Sequence, residues 1–384
     1  MRQVCGLDVH KDTIFACIMD NSGVVFQEKF GTLTSELERL ASDLEAHDVS
    51  LVGMESTSVY WRPVWKRLAS VCEQKLVNPY FIKQLPGKKS DVKDAEWIAT
   101  CLGKNLIRGS YVPEERIQQL RLYDRRVHDL NHEIVTKLNR LDAALQRCNI
   151  RISNYVSSID GKAYKEIVDL IAQGKTSPEV LAKKVHGRTL NKHGRDVIID
   201  SLTGTLSLVD IDVIAMYKAE LDLARKHKDL CLKQMEKICT THFKEQYDNL
   251  TTIPGIKGPS ACAIIAELGV DMSAFPSSAH LISWAGLKPR NDESAGKIKS
   301  RRITHGNKYL RKTLIECAWA AGRTRDCHFS KFSYHQTVVR KKSKMKVQVA
   351  IARKLLTAIW FVLSTGKPYK DYQEKEVKQE DGNS

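Results

Sequence analysis

The sequence predicts an α/β domain at the N-terminus, a long helical middle and a mainly α C-terminal domain. Three observations predict this. Short β-prone runs alternate with helical spacing over residues 1–110. An apolar residue recurs every seventh position across residues 114–150. From Leu250 onward a glycine-rich turn leads into basic helical stretches.

Residues 4–8, 13–19 and 24–30 are short β-prone runs, with Asn21-Ser22-Gly23 as a turn between the second and third. Residues 35–46 carry leucines at helical spacing, Leu37, Leu40 and Leu44. Residues 49–54 form a fourth apolar run that ends at Glu55. Residues 60–70 read as helix, residues 75–77 as a fifth strand before Pro79, and residues 94–102 as helix again. Three strands in meander followed by alternating helix and strand is the order of a ribonuclease-H-like fold, an order other α/β folds share.

In the middle region, expected over residues 111–245, Leu120, Val127, Ile134, Leu141 and Cys148 mark one seam. Leu130, Leu138 and Leu145 fill the other. This is a long amphipathic helix of coiled-coil character, which either pairs between molecules or packs within its own chain. Residues 151–210 have weak periodicity and read as a loosely helical insertion; residues 211–240 are helical and basic.

The C-terminal domain is expected over residues 246–366, with a disordered polar tail over 367–384. Ile253-Pro254-Gly255-Ile256-Lys257-Gly258-Pro259 is a tight turn before a small-residue helix over 260–268. That pattern resembles a helix-hairpin-helix, in which the amides of Gly255 and Gly258 would approach a phosphate. The bland alternative is an ordinary helix–helix turn. Residues 306–365 read as helices dense in Lys and Arg.

Lys and Arg number 61 against 45 Asp and Glu, a net charge of +16 in 384 residues. Such a surplus favours a polyanionic partner, nucleic acid first and an anionic membrane second. No apolar run reaches the roughly 20 residues of a membrane span, and residues 355–363 are expected to be a packed helix. Asp8 and the charges after it interrupt any signal-peptide core. Ten cysteines form no CxxC pair and no His/Cys metal spacing, as expected of reduced intracellular thiols.

The chemistry-bearing feature is a set of four acids. Asp8 and Glu55 each follow an apolar strand, and in a ribonuclease-H-like sheet those strands are neighbours. Asp91 and Asp94 are three apart at the start of a helix, so they share a face. Carboxylates without cysteine or histidine ligands suit Mg²⁺ or Mn²⁺. Two such ions about 4 Å apart would stabilise the attacking and leaving oxygens of phosphoryl transfer. Singly, each acid also reads as a turn cap, a loop acid or a helix N-terminal acid. Lys11, Lys88, Lys89 and Lys93 would draw a phosphate backbone to the acids, or simply be solvated.

At these residues the chain resembles a known family. Gly6-Leu7-Asp8-Val9-His10-Lys11, Glu55-Ser56-Thr57 and Lys89-Ser90-Asp91-Val92-Lys93-Asp94-Ala95 look like the DEDD blocks of bacterial insertion-sequence transposases of the IS110 family, which includes the Piv-type invertases. Ile253-Pro254-Gly255-Ile256, Trp284-Ala285-Gly286-Leu287-Lys288-Pro289-Arg290 and Gly306-Asn307-Lys308-Tyr309-Leu310-Arg311 are similar to later blocks.

The resemblance implies a RuvC-like N-terminal domain in which Asp8, Glu55, Asp91 and Asp94 bind magnesium. It implies a nucleophilic serine in a Ser-Gly-Gly-Lys-like segment. Here that segment is Ser294-Ala295-Gly296-Lys297, with Ser300 the nearby alternative. By its own chemistry Ser294 reads as a plain loop serine, because no histidine or second base stands beside it in sequence. Arg290, Lys297, Lys299, Arg301 and Arg302 would hold the DNA backbone. The resemblance also implies donor and target DNA, a structured non-coding guide RNA, a dimer or tetramer, and a bacterial cytoplasmic, nucleoid-associated setting. The competing readings are a RuvC-like nuclease that uses water and a non-catalytic nucleic-acid-binding scaffold. A sugar-kinase-like or actin-like ATPase ranks lower, since no glycine-rich phosphate turn follows Asp8.

Overall fold

The computed structural model describes residues 3–56, 58–78, 91–107, 109–290, 292–294, 297–300 and 302–371. They fall into two compact units, Met1–Pro113 and Glu114–Ser384.

The first unit is built on a five-stranded mixed sheet. In chain order its elements are β1 (Gln3–Val9), β2 (Thr13–Asp20), β3 (Gly23–Gly31), α1 (Thr34–Ala46), β4 (Val49–Glu55), α2 (Trp61–Leu68), β5 (Glu73–Val77) and α3 (Asp91–Gly103). The spatial order is β3-β2-β1-β4-β5. The first three strands form an antiparallel meander, and β1, β4 and β5 run parallel. Asp20 makes the β2–β3 turn by accepting the Ser22 amide at 2.7 Å and its hydroxyl at 2.6 Å.

Alternation along β1 and β4 sends side chains to opposite layers. Leu7, Val9, Val52 and Met54 pack with Leu37, Leu40 and Leu44 of α1. Val4 and Leu51 pack with Ile98, Cys101 and Leu102 of α3. Burying each such Leu or Ile contributes about 1.5–3 kcal/mol, so helices on both faces fix β1 at the centre. Edge strand β3 carries Glu28 and Lys29, charges that discourage further strand pairing.

The second unit is helical apart from one hairpin. Helices α4 (Glu115–Arg147) and α9 (Leu208–His242) lie antiparallel. Arg147 pairs with Asp210 at 2.7 Å near one end, and Lys137 pairs with Glu220 further along. Leu130, Ile134 and Leu138 of the expected seam pack on Leu221 and Ala224 of α9, so the chain covers this part of the seam with its own helix. Ser207 and Asp210 form a capping box at the start of α9. Between the two lie α5 (Lys162–Ala172), α6 (Pro178–Ala182), α7 (Gly187–His193) and α8 (Arg195–Ser201). This insertion has a core of its own, with Tyr164, Ile167, Ile171, Leu181 and Ile198 closed against Leu141, Leu145 and Ile214.

The remaining elements are α10 (Lys244–Thr251), α11 (Gly258–Leu268), α12 (Ser278–Trp284), β6 (Asp292–Ser294), β7 (Lys297–Ser300), α13 (Lys308–Ala321), α14 (His328–Tyr334), a π-turn at His335–Val339, and α15 (Lys344–Thr365). Every residue of α11 from Ala261 to Leu268 is buried, which makes it the axis of this core. By length and composition α15 could cross a membrane, but its Val347, Ile351, Leu355 and Ile359 are buried in the same core. The strands β6 and β7 were not expected from the sequence, since three- and four-residue runs rich in charge carry no β pattern. The expected disordered tail needs correction at its start. The Tyr369 amide donates to Thr252 Oγ1 at 2.8 Å, and the His328 amide donates to Asp371 Oδ2 at 2.9 Å. Tyr369 and Asp371 are therefore tied down, Lys367, Pro368 and Lys370 are exposed, and the rest of that tail lies outside the described residues.

Candidate functional site

Asp8 is the penultimate residue of β1 and Glu55 the last of β4. Leu7 pairs with Met54 across the parallel ladder, so the next residues, Asp8 and Glu55, stand side by side. Two glycines then let α3 approach. Gly6 and Gly53 lie two positions before the acids, on the same face. A Cβ on Gly6 would stand 2.1 Å from the Ala95 carbonyl oxygen, and one on Gly53 would stand 2.4 Å from Leu102 Cδ1. The close seat of Ala95 brings Asp94, the residue before it, to the same edge.

The electrostatics record this gathering. Asp8 is buried, and its carboxyl is pushed up to about 6, first by burial and then by the charges of Glu55 and Asp94. His10 opposes the shift, with Nε2 3.0 Å from Asp8 Oδ2. The His10 amide donates to the Thr13 carbonyl at 2.9 Å, which fixes the turn that presents the ring. In the sequence His10 carries no signal beyond its place between Val9 and Lys11, and only the fold gives it a carboxylate to hold. Like charges gathered where one carboxyl is desolvated are an arrangement a hard divalent cation would relieve. Among the described residues the acids do not close into a ready-made ion cage. Asp91 opens α3, and its side chain lies outside the described residues.

Of the basic residues expected nearby, Lys11 and Lys93 are exposed in this unit, while Lys88 and Lys89 lie outside the described residues. Ser294 ends β6 and pairs with Lys297, the first residue of β7. It therefore stands at the end of the hairpin where β6 leads on to β7, and residues 295 and 296 lie outside the described residues. Arg290 and Arg302 face each other at the hairpin base, where the Arg290 amide donates to the Arg302 carbonyl at 2.9 Å. Arg290, Lys297, Lys299 and Arg302 are all exposed, and Arg301 lies outside the described residues. The Ser300 hydroxyl accepts the Arg302 amide at 3.3 Å.

The glycine turn has packing reasons of its own. Gly255 has φ +88°, and a Cβ there would stand 2.5 Å from the Cys317 carbonyl of α13. A Cβ on Gly258 would meet the Tyr247 hydroxyl at 2.6 Å. Neither reason involves a phosphate. At the other end of α11, buried Glu267 accepts Arg125 Nε at 3.1 Å and Nη2 at 3.0 Å. Asn307 caps α13 by accepting the Tyr309 and Leu310 amides, and it also donates to Glu267 Oε2 at 2.5 Å.

Comparison with known proteins matches the same two stretches. Residues 5–150 match the DEDD transposase model of the IS110 family, and residues 247–334 match the model described as transposase, IS116/IS110/IS902 family. The pilin gene-inverting protein of Moraxella bovis is 33% identical over 133 residues, which are 34% of this chain and 41% of that protein. The protein of the same name from Moraxella lacunata is 33% identical over 133 residues, with the same shares of each chain. The 43.6 kDa protein of insertion element IS110 from Streptomyces coelicolor is 27% identical over 122 residues, 32% of this chain and 29% of that protein. The chain thus spans less than half the length of these curated relatives. The two family matches together cover more than half of the chain, and the chain belongs to the IS110 family of transposases.

Proposed function

We propose that the protein is a transposase or DNA invertase of an insertion sequence, which cuts and rejoins DNA strands with Ser294 as nucleophile. The observation that carries this reading is the gathering of Asp8, Glu55 and Asp94 at one edge of the N-terminal sheet. The sheet order supports a ribonuclease-H-like, RuvC-like reading of that unit. Asp8, Glu55 and Asp94, with Asp91 from the first position of α3, would hold Mg²⁺ or Mn²⁺. Such an ion, when bound, neutralises charge at a phosphodiester.

The chain's own residues do the rest. His10 orients the Asp8 carboxylate. The hairpin presents Ser294, with Arg290, Lys297, Lys299 and Arg302 to hold the DNA backbone. Ser294 Oγ forms a bond to phosphorus as the bond to the leaving sugar oxygen breaks; the serine proton passes through solvent to that oxygen. The phosphoserine link keeps the bond energy for rejoining. The family resemblance supports a dimer or tetramer in which the acids of one protomer would serve the serine of another. The net charge of +16 accommodates an element-encoded guide RNA as well as DNA.

The test is to incubate the full chain with plasmid bearing its native flanking DNA and map the covalent adduct. An adduct on Ser294, lost in both Asp8→Asn and Ser294→Ala, is the expected result. Cleavage that survives Ser294→Ala would make the protein a nuclease using water. Cleavage that survives Asp8→Asn would remove the acids from the mechanism. RNA co-purified with the protein should contain one enriched species transcribed beside the gene; bulk cellular RNA alone would count against guidance.

A further inference from the structure

A cavity of about 340 Å³ opens between α4, α9, α11 and α13 in the second unit. That size falls in the range of small-ligand pockets, about 300–1,000 Å³. Its wall on α4 is a polar stripe at helical spacing, Asp124, His128 and Asn131, beside the apolar seam. Opposite stands Tyr309, whose ring centroid lies 4.8 Å from that of His128, edge to face. The Arg125 guanidinium sits 3.2 Å from the Tyr309 centroid and fixes the ring. His128 Nδ1 is buried without a hydrogen-bond partner among the described residues; the nearest acid oxygen, on Asp129, is 3.7 Å away. That nitrogen is sealed from the cavity, so the polar groups a ligand meets on this wall are those of Asp124 and Asn131.

The geometry points to this cavity as a pocket for an unpaired nucleobase of a bound strand. A lining of Tyr309, Val127, Leu232 and Met235, with an amide and a carboxyl on α4, is what a splayed base uses, by its face and by its edge. Lys228 and Lys312 flank the space and suit the adjoining phosphates. A free inorganic anion does not suit it, because Asp124 and Glu316 line the same cavity. The inference rests on the reading of the chain as a nucleic-acid enzyme and adds a site away from the acids and the hairpin.

The test uses the full-length protein and a duplex with one extrahelical purine, against the same duplex fully paired, in DNA and in RNA. The bulged duplex should bind about fivefold or more tighter, the low end of base–aromatic stacking. Preference for the DNA bulge alone assigns the pocket to DNA, and for the RNA bulge alone to RNA. Asn131→Phe, which fills the cavity, should abolish the preference while paired-duplex affinity and melting temperature hold. Asn131→Ala removes the amide without adding bulk, and should lower the preference about twofold or more, the loss of one hydrogen bond. Equal binding of bulged and paired duplexes overturns the pocket and leaves the nucleic-acid reading standing. So does a preference that persists in folded Asn131→Phe, or an undiminished one in Asn131→Ala. Failure to bind any duplex overturns both.

Discussion

Gly286 and Gly306 pass each other backbone to backbone at the root of the hairpin that carries Ser294. A Cβ on Gly306 would stand 2.3 Å from the Gly286 amide nitrogen, and one on Gly286 would stand 2.7 Å from that of Gly306. Gly286 also has φ +71°. Two motif glycines that are twenty residues apart thus close one crossing. No flexible side chain stands at this contact to yield, so Gly306→Ala should cost about 2 kcal/mol or more. Urea unfolding would measure it. A cost under about 0.5 kcal/mol, the ordinary surface value, would show that the crossing opens freely.

Gly6 and Gly53 should differ from each other in a way the contacts dictate. The Cβ of Gly6→Ala would collide with helix backbone, the Ala95 oxygen and the Ala99 nitrogen, so α3 as a whole must move. The Cβ of Gly53→Ala meets only the end of the Leu102 side chain, which can turn aside. Gly6→Ala should therefore cost about 3 kcal/mol or more and Gly53→Ala roughly 1–2 kcal/mol, as overpacking does. The first should also displace Asp94 and abolish strand cleavage. Parallel urea titrations of the two variants test the order, and the reverse order would refute the account.

The first unit was legible because its signals are local. Apolar runs, the Asn21-Ser22-Gly23 turn and the leucine spacing of α1 each specify an element without help from elsewhere. Asp8 and Glu55 were legible because each ends an apolar strand and the strand order makes those ends neighbours. His10 was not, since a residue just past a strand does not by itself announce that its ring folds back to within 3.0 Å of the carboxylate two residues earlier. Glu267 was not either, because nothing local marks an acid in an apolar helix as the partner of an arginine 142 residues earlier. The glycines of the 253–259 turn read as phosphate contacts by pattern, while their tightest contacts are with α13 and Tyr247.

Asp124 stands beside buried Glu267, and its carboxyl is pushed up to about 7, first by burial and then by the Glu267 charge. The folded value lies above the ordinary 3.8. The stability this group contributes is therefore fully present below about pH 4 and is lost as pH rises through 7. Because the carboxyl still meets solvent, the loss should be on the order of 2 kcal/mol rather than the full shift. Asp124→Asn should flatten stability across that window. Glu267→Ala should cost about 1.5–3 kcal/mol, because it removes the acceptor of Arg125 and Asn307. Unfolding curves from pH 4 to 8 would decide; a wild-type curve as flat as that of Asp124→Asn would contradict the coupling.

Asp8 carries the same sign for a different purpose. With its carboxyl raised to about 6, metal-free protein should lose stability as pH rises through that value, and Asp8→Asn should not. A divalent ion held by the acids would restore the loss. At ten times its dissociation constant such an ion contributes about 1.4 kcal/mol. Melting temperature at pH 7.5 should therefore rise with Mg²⁺ in wild type and stay level in Asp8→Asn. An equal rise in both would place the ion elsewhere on the chain.

The hairpin cations make a separate claim, testable without catalysis. Lys297 and Lys299 are exposed on one strand of the hairpin, and Arg290 and Arg302 meet at its base. If these residues grip phosphates, each one removed should lower the slope of log affinity against log salt by about 0.9. Affinity should fall evenly across DNA sequences, since a phosphate contact carries no base information. Lys297→Ala with Lys299→Ala should then reduce the slope by about 1.8 and leave the ranking of sites unchanged. An unchanged slope would mean that the hairpin cations face solvent. The adduct at Ser294 would then have to be explained by DNA held from another surface of the protein.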